Sequence, residues 1–142
     1  MNDNAQYAAT ILRLALGIMF VAHGLLKVMV FTLPGTAGFF ESVGFPSLLA
    51  YPVTVAEIVG GALLIAGVAV RPVALALLPV LLGATWVHYG SGWVFSNANG
   101  GWEYPAFLAA TAVASALLGP GKFALRIPAR SKTGGKVEPS TA

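Results

Sequence analysis

Four apolar runs dominate this sequence, at about residues 8–31, 47–70, 72–89 and 103–119. A helix needs roughly 20 apolar residues to cross about 30 Å of hydrocarbon, and all four runs meet that length, the last by the narrowest margin. A chain built this way cannot clothe a water-facing surface. Its residues are 57% apolar and 9% charged, whereas soluble domains are about 25% charged, and its mean hydropathy is +0.80. Barrel strands would alternate over about 10 residues, but these runs are continuous and rich in Ala, Leu and Gly. The expected fold is an all-α membrane protein. It is a four-transmembrane-helix bundle over residues 1–125, followed by a basic tail, residues 126–142, expected to be disordered.

The first run is expected to be a retained helix and not a leader. Residues 1–10 hold Asp3 and no Lys or Arg, and no small-residue cleavage pattern follows a short apolar core. The charges are asymmetric. Through residue 121, Arg13, Lys27 and Arg71 stand against Asp3, Glu41, Glu57 and Glu103. Beyond it, Lys122, Arg126, Arg130, Lys132 and Lys136 stand against Glu138. The pI near 9.5 is thus a property of the tail, and no basic, aromatic-interleaved face points to nucleic acid. Four crossings place both termini on the side of Arg13, Arg71 and the tail. The opposite loops, residues 32–46 and 90–102, hold no Lys or Arg. The positive-inside rule makes the termini cytoplasmic. Trp86, Trp93, Trp102, Tyr51, Tyr89 and Tyr104 gather at the outer ends like an interfacial belt. The chain has no Cys, which excludes disulfide chemistry and thiolate metal sites.

Residues 36–43 read as a short helix ended by Gly44 and Pro46, its Phe39, Phe40 and Phe45 apolar enough to lie in the headgroup region or to fold back over the bundle. The Gly- and Asn-rich stretch before Trp102 reads as an ordered turn. Gly17 and Gly24, Gly60, Gly61 and Gly67, and the Ala-rich fourth run suit close helix packing. Pro79 interrupts the third run and frees the carbonyl of Leu75.

Ionisable residues inside a span cost about 2.5–3.5 kcal/mol at its centre and usually face the bundle interior. His23 and Lys27 are four apart on one face of the first helix. Glu57 sits near the middle of the second, His88 ends the third and Glu103 opens the fourth. All five fall in the outer half. Lys27 can snorkel outward or pair with Glu57, His23 can bond a backbone carbonyl, and Arg13 is expected to snorkel to the inner phosphates. A haem between His23 and His88, or zinc on His23, His88 and Glu57, has no supporting motif, and no metal site is assigned.

The order and spacing of these residues resemble the DoxX family. The resemblance lies in Arg13, Gly17, Phe20, His23, Gly24 and Lys27, then Gly38-Phe39 and Gly44-Phe45-Pro46, then Glu57, Gly60, Gly61, Leu64, Gly67 and Arg71. It continues through His88, Asn99-Gly100-Gly101-Trp102-Glu103 and Gly119-Pro120-Gly121-Lys122, so that it covers about residues 10–125. One departure is Ala124-Leu125-Arg126, where such proteins often carry an acidic residue. The resemblance implies a multi-pass protein of the prokaryotic cell (inner) membrane. It also implies a quinone-interacting or membrane-anchoring subunit of an oxidoreductase system, with a redox partner protein. No bound cofactor is indicated; a quinone would be an exchangeable ligand needing an apolar slot, hydrogen-bond donors and a proton route. Glu57 and His23 are then the candidate catalytic residues, and Lys27, His88, Glu103 and Asn99 the candidate ligand-binding ones. The competing expectations are a proton-coupled small-molecule carrier, which would need to be a homo-oligomer, and a membrane scaffold for partner proteins.

Overall fold

The computed structural model describes residues 2–125. The predicted tail, residues 126–142, lies outside them. The described residues form five α-helices and no strand: α1 (Asp3–Met29), α2 (Leu33–Ser42), α3 (Ala50–Ala66), α4 (Val70–Tyr89) and α5 (Glu103–Leu118). A single 3-10 turn, Ser47–Leu49, leads into α3.

The helices start and stop where local chemistry allows. Asn2 caps α1 by accepting from Ala5 N–H at 3.0 Å, so this helix begins a full turn before the apolar run does. At 27 residues α1 is about 40 Å long and overshoots the hydrocarbon. Pro34, Pro72 and Pro105 all lie in first turns, where a missing N–H leaves no gap in the ladder. Gly67 ends α3 at φ +76, with the N–H of Val68 closing onto Leu63 O, a left-handed exit that suits glycine. α4 continues through Pro79. The predicted short helix of the first outer connection exists and is α2, three residues longer at its start because Thr32 caps it.

Three helical stretches, Asp3–Met29, Ser47–Ala66 and Val70–Tyr89, are long and apolar enough to cross a membrane, whereas α5 has only 16 residues. That is about 24 Å of helix, so its connecting turns must complete the crossing or the bilayer must thin locally. The chain still returns to its starting end. Lys122 N–H donates to Gln6 O at 3.2 Å, and Thr10 Oγ1 donates to Lys122 O at 2.7 Å.

The bundle is two tightly packed helix pairs. α1 and α3 meet through glycine: a Cβ on Gly61 would lie 2.7 Å from Gly17 O, and one on Gly17 would lie 2.7 Å from Gly61 O. No side chain fits there, which is how small residues bring membrane helices together. α4 packs along α5 against the alanine face of Ala109, Ala112 and Ala116, and Leu16, Phe20, Leu64, Leu77 and Leu81 fill the space between the pairs.

Arg13 overturns its predicted role. It does not snorkel; it is 2% exposed. Its Nε donates to Pro120 O at 2.8 Å, Nη1 to Leu64 O at 2.9 Å and to Ile65 O, and Nη2 to Lys122 O at 3.3 Å. Helix ends leave carbonyls without intrahelical partners, and a planar five-donor guanidinium can satisfy several at once. Arg13 therefore ties the C-terminal end of α3 and the turn after α5 to α1.

Candidate functional site

In the half of the bundle away from the chain ends, the two helix pairs part around a cavity of about 430 Å³. Its volume falls within the roughly 300–1,000 Å³ of small-molecule sites, which are mostly apolar with a few placed polar groups. The walls are mainly hydrophobic. Phe39 and Phe40 of α2 and the following Val43 and Phe45 close one side, so of the two placements expected for this connection it is the fold-back that covers the cavity. Thr36, 4% exposed, fastens α2 by donating to Lys27 O at 3.3 Å and Thr32 O at 3.0 Å. Pro79 and Gly83 of α4 line the opposite wall.

Five polar side chains line this space: His23, Lys27, Glu57, His88 and Tyr104. Lys27 Nζ donates to Glu57 Oε2 at 2.7 Å and Oε1 at 2.9 Å. The two side chains are 17% and 6% exposed, so this is a buried ion pair. An ammonium has three donors; two are engaged by Glu57, and the third is free for a ligand. The close packing of Gly24 against Ile58 and Glu57 Cβ sets the spacing of the pair. His23, one turn before Lys27, has Nδ1 2.8 Å from Met19 O. Its ring lies against that of Tyr104, with centroids 6.3 Å apart at 30°. Tyr104 O–H donates to Met19 Sδ at 3.2 Å, a weak acceptor. His88, at the far end of α4, has Nδ1 2.9 Å from Asn99 O.

Two candidates lie outside the cavity lining. Glu103 accepts from Phe95 N–H at 2.8 Å, and its own N–H donates to Trp93 O at 3.1 Å. It fastens the connection before α5. Asn99 sits at φ +69, a conformation Asn tolerates, and offers its backbone oxygen to His88. Its side chain has no contact with the cavity. That connection is ordered, as predicted: Asn97 Nδ2 donates to Ser91 O at 2.9 Å, and Trp93 meets Trp102 edge-on at 4.4 Å. Tyr104 was legible only as part of the aromatic belt. The signal that places it in the site is its neighbour: starting α5 at Glu103 puts the next residue at the depth of His23. Among the described residues, no three His, Asp or Glu side chains cluster as metal ligands.

The arrangement can hold a flat, largely apolar molecule and offer it an ammonium donor, a phenol and two imidazoles.

The sequence model of the DoxX family matches residues 8–90, from α1 to the end of α4. Among curated proteins, the chain is similar to "Putative oxidoreductase CatD" of Bacillus subtilis (strain 168), 39% identical over 71 residues. That stretch is 50% of this chain and 52% of the relative, so the chain matches about half the length of this relative. No solved structure matches the chain.

Proposed function

Because the chain belongs to the DoxX family of multi-pass membrane proteins, we propose that it is a quinone-interacting subunit that anchors an oxidoreductase system in a prokaryotic cytoplasmic membrane, its termini cytoplasmic. The observation that carries this reading is an apolar cavity lined together by Lys27, Glu57, His23 and Tyr104. The relative's printed name agrees with an oxidoreductase role. Bound there, a quinone would supply the two-electron couple, and a partner protein would deliver or remove the electrons. The chain's own residues bind and orient. The apolar walls take the ring, the third Lys27 N–H reaches a ring oxygen, and the Lys27–Glu57 pair holds a proton near it. His88 stands between the cavity and the ordered outer connection, on the side where a proton would meet water.

A scaffold role has one observation in its favour: Lys27 and Glu57 satisfy each other and so need no ligand. Thermal unfolding in detergent separates the two. A short-chain quinone is added in oxidised and reduced forms to wild type and to Gly83→Leu. Gly83 lines the cavity, and a Cβ there would meet nothing nearer than Phe45 Cζ at 4.0 Å. The variant should fold and fill the space. Ligand at about 100 times its Kd stabilises the folded state by about 2.7 kcal/mol. A rise in Tm for wild type that disappears in Gly83→Leu is expected. No rise with either form would leave the scaffold reading standing and end this one.

A further inference from the structure

Both histidines of the chain line the cavity, and both are fixed in the same way. His23 Nδ1 lies 2.8 Å from Met19 O, and His88 Nδ1 lies 2.9 Å from Asn99 O. A backbone carbonyl has no proton to give, so each contact is a hydrogen bond only if Nδ1 carries the hydrogen. In a neutral imidazole, one nitrogen donates and the other accepts, and the bond made by the first fixes the role of the second. In the neutral ring, the Nε2 of each histidine is therefore a bare lone pair. Among the described residues, no hydrogen bond reaches either Nε2.

With Nδ1 spent on Met19 O, His23 is not placed to donate to a ligand carbonyl. The carbonyl it would have met at Nε2 finds no proton there. What that nitrogen can receive is an O–H. The other polar groups agree. Tyr104 has given its hydrogen to Met19 Sδ, so its oxygen offers lone pairs, and Glu57 is an acceptor paired to Lys27. Of the lining groups, Lys27 has a hydrogen with no partner among the described residues. Acceptors thus outnumber donors in the space between α1, α4 and α5.

We infer that the cavity is built for the reduced, dihydroxy form of an aromatic ring, with His23 Nε2 accepting a hydrogen bond from one hydroxyl and His88 Nε2 offering a second acceptor toward the outer surface. This rests on the proposed quinone site but makes a separate claim: a hydroquinone is preferred over the matching quinone. A buried acceptor left without a donor costs about 1–3 kcal/mol, which is roughly fivefold to more than a hundredfold in affinity.

Two measurements test it. The first compares three probes under anaerobic conditions by thermal shift and calorimetry: a decyl hydroquinone, the matching decyl quinone and the hydroquinone bis-methyl ether. The hydroquinone should bind at least about fivefold more tightly than the other two. In His23→Phe, which keeps a flat ring but has no acceptor, that preference should collapse while the unliganded Tm shows the protein folded. Equal or tighter binding of the quinone or the ether to wild type overturns the inference. If none of the three binds, the quinone site itself fails. The second measurement needs no ligand. With only two histidines, histidine-labelled protein gives two resolvable sets of ring ¹⁵N signals by NMR. Bare Nε2 and protonated Nδ1 are expected for both; a protonated Nε2 on His23 overturns the acceptor assignment.

Discussion

The Lys27–Glu57 pair is the most exacting test of the bundle's interior. Its Nζ–O distances are 2.7 and 2.9 Å, and the two side chains are 17% and 6% exposed. Deleting one member of a buried pair leaves a charge without its counterpart and costs about 3–5 kcal/mol, whereas replacing both by apolar groups of similar volume is often neutral or stabilising. Glu57→Gln keeps an amide oxygen that Lys27 can still reach, so the lower limit, about 3 kcal/mol, is expected. Lys27→Met, which leaves Glu57 without its partner, should also cost about 3 kcal/mol or more. The double variant Lys27→Met/Glu57→Leu should fall within about 1 kcal/mol of wild type. A double-mutant cycle by equilibrium unfolding in mixed detergent–SDS micelles reads these differences. A coupling of about 2 kcal/mol or more is expected. If both single changes cost less than about 1 kcal/mol and simply add, the charges are solvated by water in the cavity. The argument from burial is then wrong.

Two further outcomes follow from the packing. Arg13→Met removes the donors to Leu64, Ile65, Pro120 and Lys122 carbonyls. It should cost about 3 kcal/mol or more and speed hydrogen exchange at the ends of α3 and α5, with Arg13→Lys restoring only part because a point charge cannot fork across four acceptors. Gly61→Ala places a Cβ 2.7 Å from Gly17 O. It should destabilise by about 1–3 kcal/mol and, by spreading α1 from α3, weaken binding of any cavity ligand in a titration, which Gly38→Ala, with open space around it, should not do.

Much of this protein was legible from residue order. Apolar length and the scarcity of charge dictated helices in lipid, because no other backbone satisfies its own hydrogen bonds there apart from a closed barrel. Glycine positions on α1 and α3 marked faces suited to close packing, without saying which helices pair, and the helical repeat put His23 and Lys27 on one face. Glu57 stood out because a short acid deep in a span cannot snorkel, and Lys27 was one partner within its reach. Local signals also set the limits of α2, through Thr32, Gly44 and Pro46.

Tertiary structure decided the rest, for one physical reason: a polar side chain's role depends on which groups share its desolvated surroundings. Arg13 and Lys27 are both basic residues of one helix, yet one ends among carbonyls and the other on a carboxylate. Glu103 and Tyr104 are adjacent in sequence, yet one fastens a connection and the other faces the cavity. The two histidines show the same division most sharply. Their presence in the outer half was written in the sequence. Which nitrogen carries the proton, and so whether the site gives or takes a hydrogen bond, was settled only when Met19 and Asn99 brought their backbone oxygens to Nδ1.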